Sequence, residues 1–422
     1  SFVLKEGDYI QKTYKVPNQG LYSIAKDSLA LAALMRVNFG SDVSKWPIDL
    51  TIAPSEWKFV EYDKNTKRIV KLFFDVNEKT VQSGSSYSND RKLWEEEPSV
   101  PDLPQSAGNW GDTGLKIKVI PEEITLMDAL QDINFNGNEL EEVPAFLESM
   151  KSVYGLSLSG NKITSLPKEL FGMLRLRVLD VGENPLTELP RLDKATNLVI
   201  LHASYCQITS LGDELSMYPN LTHLTVIDNK IASLGNLSTL LPNLQHLDIR
   251  GNQLKSITKE MIPVGLLGLI ADDNQIASLP AWGSAAMLNL GLSGNELTNI
   301  PAEFLQLPKL EYLDLSGNPL LSLPGTIGEC QSLLILDLSE TSLATLPEEV
   351  AQCEKLRALY LVNNRGMIWS LPEGMKARYG KCQTYQKDEN GEWVWRMGPE
   401  GLFVDTRGCS QVVGVPDPVK CN

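Results

Sequence analysis

Between residues 130 and 364, short bursts of alternating apolar and polar residues return at a fixed interval. In each burst the positions five and three before a recurring asparagine are apolar, as in Leu156 and Leu158, Leu179 and Val181, Leu247 and Ile249, Leu313 and Leu315, and Leu336 and Leu338. That alternation predicts a short strand with one buried face. The asparagines are Asn138, Asn161, Asn184, Asn229, Asn252, Asn274, Asn295, Asn318 and Asn364, with Cys206 and Thr341 filling the two gaps, at steps of 21 to 23 residues. Two residues further on stands Ile or Leu, from Ile163 to Leu343, and then Leu-Pro pairs such as Leu166-Pro167, Leu189-Pro190, Leu279-Pro280, Leu323-Pro324 and Leu346-Pro347. Proline has no N–H for a ladder, so the chain must leave the strand there and return along the outside in a short helix or 3₁₀ turn. A period of this length predicts stacked coils whose strands pair in parallel, about 4.8 Å apart.

The asparagine has a structural task in this scheme. Its amide bonds backbone groups of its own turn and a neighbouring one, satisfying polar groups that a tight bend would bury unpaired. A stack of coils needs both ends covered. At the front, Asp27 is placed to N-cap a helix carrying Leu29, Leu31, Ala32, Leu34 and Met35 and stopping near Gly40. A first strand follows from Arg68 toward Asn77. Ser, Gly and Pro clusters before the frame resumes at Leu115, with Ile117, Ile120 and Pro121, mark an irregular insertion. At the back, Tyr385 to Trp395 reads as a hairpin turning at Asn390-Gly391, with Trp393 and Trp395 on one face covering the last repeat. The expected division is an extension (1–26), a front cap (27–78), the insertion (79–114), about eleven repeats (115–372) and a back cap (373–422).

Asp27-Ser-Leu-Ala-Leu31, Trp46, Trp57-Lys-Phe-Val60 and the strand that follows resemble the N-terminal cap of plant-type leucine-rich repeat ectodomains and of exported bacterial proteins that share it. The repeats, as in Leu310-Glu-Tyr-Leu-Asp-Leu-Ser-Gly-Asn318-Pro-Leu320, resemble the leucine-rich repeat family in its Leu-Pro variant. The resemblance implies an α/β leucine-rich repeat solenoid. Its parallel sheet would line the concave face, with short helices, 3₁₀ turns and loops on the convex face and a cap at each end. It also implies export to the cell surface or the medium, the alternative being an intracellular scaffold with all six thiols free. Receptor caps carry paired cysteines and this one has none before Cys206, which favours a bacterial member.

The formal charge of -15 argues against nucleic acid or an anionic membrane as partner, because both require a basic surface. The longest apolar run, Leu29 to Met35, is too short to cross a membrane. The chain opens at Ser1 without methionine or a basic leader, which fits a removed signal or a trimmed chain. Of six cysteines, Cys206, Cys330 and Cys353 fall at core positions and are expected as free, buried thiols. Cys382, Cys409 and Cys421 lie beyond the repeats, where a disulfide between two of them suits an exported chain.

No nucleophile elbow, phosphate-binding loop or metalloprotease pattern is present, and neither an enzyme nor a cofactor is expected. Positions six, four and two before the ladder turn to the open face of the sheet. All three histidines fall there, His202, His223 and His246, in successive repeats, with Ile200, Tyr205, Thr225, Ile227, Asp248, Arg250, Ile270 and Asp272 around them. Exposed apolar side chains beside His and Arg make a surface suited to a protein or peptide partner, with the chain itself a monomer. His223 and His246, in one column, could also bind a divalent metal with Asp248. The same pair could make binding depend on pH. Asn134, Ser157, Ser159, Asp180, Ser293, Asp314, Ser316, Asp337 and Ser339 give the flanking repeats a more polar face, expected to be solvated or to suit a glycan.

Overall fold

The structure, a computed structural model, describes residues 21–75 and 113–375, less 49, 51–56, 58, 192–196, 282–283, 366–367 and 371, together with 383–387, 393–397, 403–405 and 411–413. The chain forms two compact units, Ser1–Ile208 with Ser216–Leu221, and Thr209–Leu215 with Thr222–Asn422.

Among the described residues of the first unit, helix α1 (Leu21–Phe39) comes first. It begins six residues before Asp27, so Asp27 is not the cap the sequence predicts. Instead it lies within the helix, 2% exposed. Its carboxylate accepts from Arg68 Nη2 at 2.9 Å, Arg68 Nε at 3.2 Å and the Ile69 N–H at 3.0 Å. A buried charge is tolerable when paired and hydrogen-bonded in this way, and here it pins the helix to a strand. The helix ends as predicted: Gly40 takes φ +77° and its N–H bonds Arg36 O at 3.0 Å. β1 (Val60–Asp63) pairs antiparallel with β2 (Arg68–Phe73), and β3 (Asp132–Asn134), β4 (Gly155–Ser157), β5 (Val178–Asp180) and β6 (Ile200–His202) follow in parallel, in chain order.

In the second unit β7 (Ser210–Leu211) pairs with β9 (Ser233–Leu234), separately from the main ladder. That ladder runs in parallel from β8 (His223–Thr225) through β10 (His246–Asp248), β11 (Gly268–Ile270), β12 (Asn289–Gly291), β13 (Tyr312–Asp314), β14 (Ile335–Asp337) and β15 (Ala358–Tyr360). A short helix α2 (Leu237–Leu240), capped by Asn236, lies between β9 and β10. β16 (Ile368–Ser370) comes next, and β17 (Gln383–Lys387) and β18 (Trp393–Met397) form an antiparallel pair on either side of Asn390-Gly391. β19 (Phe403–Asp405) adds in parallel to β15, extending the ladder by one strand, and β20 (Gln411–Val413) pairs with β16. The turn residues, the Trp393 and Trp395 side chains, Cys382, Cys409, Cys421, the chain before residue 21 and the insertion up to residue 112 lie outside the described residues.

The core follows the predicted columns. Leu156, Leu158, Leu179, Val181, Ile249, Leu313, Leu315, Leu336 and Leu338 have no exposed surface, and Leu247 has 2%. Each such side chain contributes about 1.5–3 kcal/mol through removal from water. The ladder amides reach back one coil. Asn252 Nδ2 donates to Ile249 O (2.9 Å) and Arg250 O (3.1 Å) in its own turn and to Val226 O (2.9 Å) in the preceding one, while Oδ1 accepts the Ile231 N–H at 3.0 Å. Asn161 repeats the pattern with Leu158, Ser159, Phe135 and Leu140. The Cys206 thiol donates weakly to Val181 O and Ser204 O, whereas the Thr341 hydroxyl reaches Leu338 O and Asn364 Oδ1. The frame resumes after the insertion as read from the sequence, since the Ile117 N–H bonds Asn138 Oδ1 at 2.8 Å.

On the outer side, Pro144, Pro167, Pro301, Pro324 and Pro347 each precede a 3₁₀ turn, with φ between -58° and -69°. The middle repeats have Leu211-Gly212 and Leu234-Gly235 instead of Leu-Pro. An N–H is then available, and Gly235 donates to Leu211 O at 2.7 Å beside the outer β7–β9 pair. Cys206, Cys330 and Cys353 are buried thiols. The thiols of Cys330 and Cys353 donate to Leu305 O and Ile327 O, and burial pushes Cys330 up to about 12. No helix among the described residues is long and apolar enough to cross a membrane.

Candidate binding face

Strand alternation sends the positions six, four and two before the ladder away from the core, and in the second unit this face runs from β8 to β15. His246 is the register partner of His223, and Asp248 that of Thr225. The two imidazoles stack, with centroids 4.6 Å apart and planes 15° apart. The Thr222 hydroxyl lies within hydrogen-bond distance of His223 Nδ1, at 2.7 Å. Arg250 forks onto Asp248, with Nε 2.9 Å from Oδ1 and Nη2 2.6 Å from Oδ2. His223, Thr225, Ile227, His246, Asp248, Arg250, Ile270 and Asp272 are all partly exposed, between fully buried core residues on the same strands.

This arrangement does not gather His223, His246 and Asp248 into the metal set read from the sequence. Imidazole lone pairs lie in the ring plane, so stacked rings direct them side by side rather than toward one point. Both Asp248 oxygens are already held by Arg250. Among the described residues no group of three or more His, Cys, Asp or Glu is placed to hold a metal ion.

Ile200, His202 and Tyr205 belong to the first unit, so the eleven predicted residues divide three and eight between the units. Ile200 is 5% exposed and is not the open side chain the sequence reading expected. It stands in register with Val178, itself buried. His202 is partly exposed beside Asp180, its register partner, and its charge opposes the upward push of burial on the Asp180 carboxyl. Tyr205 is 40% exposed and holds φ +55°, a left-handed conformation unusual for a bulky residue.

The polar flanks are less solvated than expected. Asn134, Ser157, Ser159, Ser293 and Asp314 are all 5% exposed or less. Short side chains on strands this closely spaced are shaded by their neighbours, and their polar atoms bond groups close by. Asn134 Oδ1 accepts the Asn136 N–H, and Asn136 Oδ1 the Ser159 N–H. Asp314 accepts from Ser316 N at 2.9 Å, Ser316 Oγ at 2.6 Å and Tyr312 Oη at 3.1 Å.

The feature that sequence reasoning passed over lies on β12. Gly291, the one glycine four residues before a ladder position, leaves bare backbone between Ile270 and Asp314. The Asp272 carboxylate leans over it: a Cβ at Gly291 would lie 2.7 Å from Asp272 Oδ1 and 3.2 Å from Ile270 Cδ1. Asp272 accepts the Ser293 N–H at 2.9 Å. Burial pushes its carboxyl up to about 7 and the Asp314 charge adds to this, against the Ser293 N–H and Arg250. Burial also raises Asp314, and burial with Asp314 alongside keeps the Tyr312 phenol protonated. A lone glycine in a column of larger residues was the available signal.

Comparison with known proteins agrees with this architecture. Residues 219–260 match the family described as "Leucine Rich repeats (2 copies)", and residues 309–330 match "Leucine Rich Repeat". No curated protein sequence gives a significant match. Among solved structures, the functional domain of InlJ from Listeria monocytogenes, which includes a cysteine ladder, is similar at 19% identity and a TM-score of 0.51, over 70% of this chain and 57% of that one. The PEPR1–AtPEP1 complex is similar at 22% identity and 0.55, over 83% and 50%, and the TLR13–ssRNA13 complex at 20% and 0.50, over 72% and 50%. The chain thus spans little more than half the length of these proteins, and at such identities the likeness concerns the fold. With the repeat frame, the buried amide ladder and the in-register parallel strands, it makes this chain a leucine-rich repeat protein.

Proposed function

We propose that this is a non-enzymatic binding protein whose partner, a protein or peptide, docks on the open face of the sheet in the second unit. One observation carries the reading. On β8, β10 and β11, and in the residues just after them, partly exposed His, Thr, Ile, Asp and Arg side chains project together between fully buried leucines. A rigid strand ladder holds them in register, so a partner meets a surface that is already organised. Mixed apolar and charged character of this kind is what specific interfaces use. PEPR1, similar in fold, is complexed with AtPEP1, and TLR13 with ssRNA13. A net charge of -15 favours the first kind of ligand over the second here. The Asp314 oxygens, already held by Ser316 and Tyr312, favour a protein or peptide over a glycan. The resemblance of the front cap to that of exported bacterial proteins supports a place at the cell surface or in the medium.

The test is to select binders from a random linear peptide library displayed on phage, against the immobilised full chain. They are then measured on Thr225→Arg/Ile270→Arg and on an outer-turn control, Glu303→Lys/Glu354→Lys, each checked for folding by its melting curve. Loss of at least tenfold in affinity on the first variant alone is expected, equivalent to about 1.4 kcal/mol. Binders insensitive to the first variant, or lost on the second, would refute the proposal.

A further inference from the structure

We propose that the stacked His223–His246 pair makes the docking face acid-sensitive, holding a peptide near neutral pH and releasing it when both imidazoles become charged. The inference rests on the docking face proposed above and adds the regulation of that site.

The two rings belong to register partners on β8 and β10, with centroids 4.6 Å apart and planes 15° apart. Two neutral rings, or one neutral and one charged, are compatible with such a stack. Two imidazolium rings are not, since like charges at this separation repel. Imidazole is the side chain that ordinarily changes charge between pH 5 and 8, so a mild acid step carries the pair from the first condition to the second.

The charged groups of the second unit around the rings leave that repulsion standing. On β8 and just after it, Thr225 and Ile227 share the face and carry no charge, and Asp228 is exposed at the turn, where water and salt screen it. The Thr222 hydroxyl, 2.7 Å from His223 Nδ1, is uncharged. On β10, Asp248 lies two residues beyond His246, but Arg250 holds both its oxygens and already matches its charge. Gly268 and Ile270 on β11 stand in register with His246 and Asp248. Asp272 follows, bonded to the Ser293 N–H, and takes up a proton near pH 7. As the pH falls, the pair therefore gains positive charge while Asp248 stays committed to Arg250 and Asp272 loses its charge.

Docking turns this into regulation. Both rings are partly exposed, and a peptide laid across β8 and β10 covers them. Removal of water disfavours the charged forms, so the complex holds fewer protons than the free face. Affinity then falls as the pH falls through the imidazole range.

The experiment uses peptides from the library selected at pH 7.5 that contain no His, Asp or Glu, with both termini blocked so that the ligand itself does not titrate. Those weakened by Thr225→Arg/Ile270→Arg are measured at pH 7.5 and pH 5 on the full chain, on His223→Gln/His246→Gln and on Asp272→Asn. The parent chain should lose at least tenfold in affinity between the two pH values. The histidine variant should lose less than threefold, and Asp272→Asn should keep the parent's loss. Should the double variant fail to fold, His246→Gln alone carries the test, with a loss smaller than the parent's expected and an equal loss counting against the proposal. A parent chain indifferent to pH, a loss that persists in the histidine variant, or a loss abolished by Asp272→Asn would overturn the switch and leave the docking face standing. If no selected peptide is weakened by Thr225→Arg/Ile270→Arg, the docking face falls and the switch with it.

Discussion

Replacing Asp272 by Asn should stabilise the protein, and more so at pH 8 than at pH 5. The Asp272 carboxyl is shifted from 3.8 to about 7 in the folded chain. Between those values the folded state keeps a proton that the unfolded state has released. Stability rises with pH only where the unfolded state binds more protons, so here it falls as pH climbs from about 4 to about 7. A shift of about three units corresponds to a ceiling of about 4 kcal/mol. Because the side chain is partly exposed, screening reduces this, and about 1–3 kcal/mol is expected. Asparagine resembles the protonated acid in shape, keeps an acceptor for the Ser293 N–H at 2.9 Å and removes the repulsion with Asp314. Urea unfolding of parent and variant at pH 5 and pH 8 measures the effect. About two of the three pH units fall between these values, so the advantage of the variant should grow by about 1–2 kcal/mol from pH 5 to pH 8. An advantage that is the same at both, or a variant less stable at pH 8, would refute the assignment of a strained carboxylate. Retention of a residue that lowers stability at neutral pH is what a binding surface, rather than a purely structural one, leads one to expect.

Three further outcomes follow from the architecture. Asn252→Ala leaves Val226 O, Ile249 O, Arg250 O and the Ile231 N–H without their partner and should cost about 3 kcal/mol or more in urea unfolding; a cost below about 1 kcal/mol would remove the ladder from the account. Arg68→Ala strands the buried Asp27 carboxylate and should cost about 3–5 kcal/mol, measured the same way, with an unchanged melting curve as the contrary result. Cys206, Cys330 and Cys353 should resist an aromatic disulfide reagent in the native protein and react on unfolding, since all three are buried and burial raises the Cys206 and Cys330 thiols; rapid native labelling of any of them, located by peptide mapping, would contradict the packing.

Much of this structure could be read from the sequence because its two governing periods are short. Leu247 and Ile249 face the core because strands alternate, and Asn252 is buried because a tight bend leaves backbone groups to satisfy; both consequences are local. The errors arose where a residue answers to a distant partner. Asp27 stands where a helix cap would, yet it bonds Arg68 and Ile69, more than forty positions away. Ile200 has the spacing of an open position but is covered beside Val178. The histidine pair was located correctly by column, while its use as a metal site depended on ring orientation and on Arg250 capturing Asp248, which spacing does not encode. The exchange of Leu-Pro for Leu-Gly at Gly212 and Gly235 was legible and went unread, because the bond it permits, from Gly235 N–H to Leu211 O, joins two coils. Gly291 matters only through the carboxylate that leans over it from the strand beside it.

The most direct test of the docking face is site-directed photocrosslinking of a library-selected peptide, with benzoylphenylalanine placed in turn at Thr225, Ile335, Glu303 and Glu354. The account predicts peptide-bearing adducts from Thr225 and Ile335, which project from β8 and β14, and none from the two outer-turn positions. Adducts from Glu303 or Glu354, with Thr225 and Ile335 silent, would contradict it.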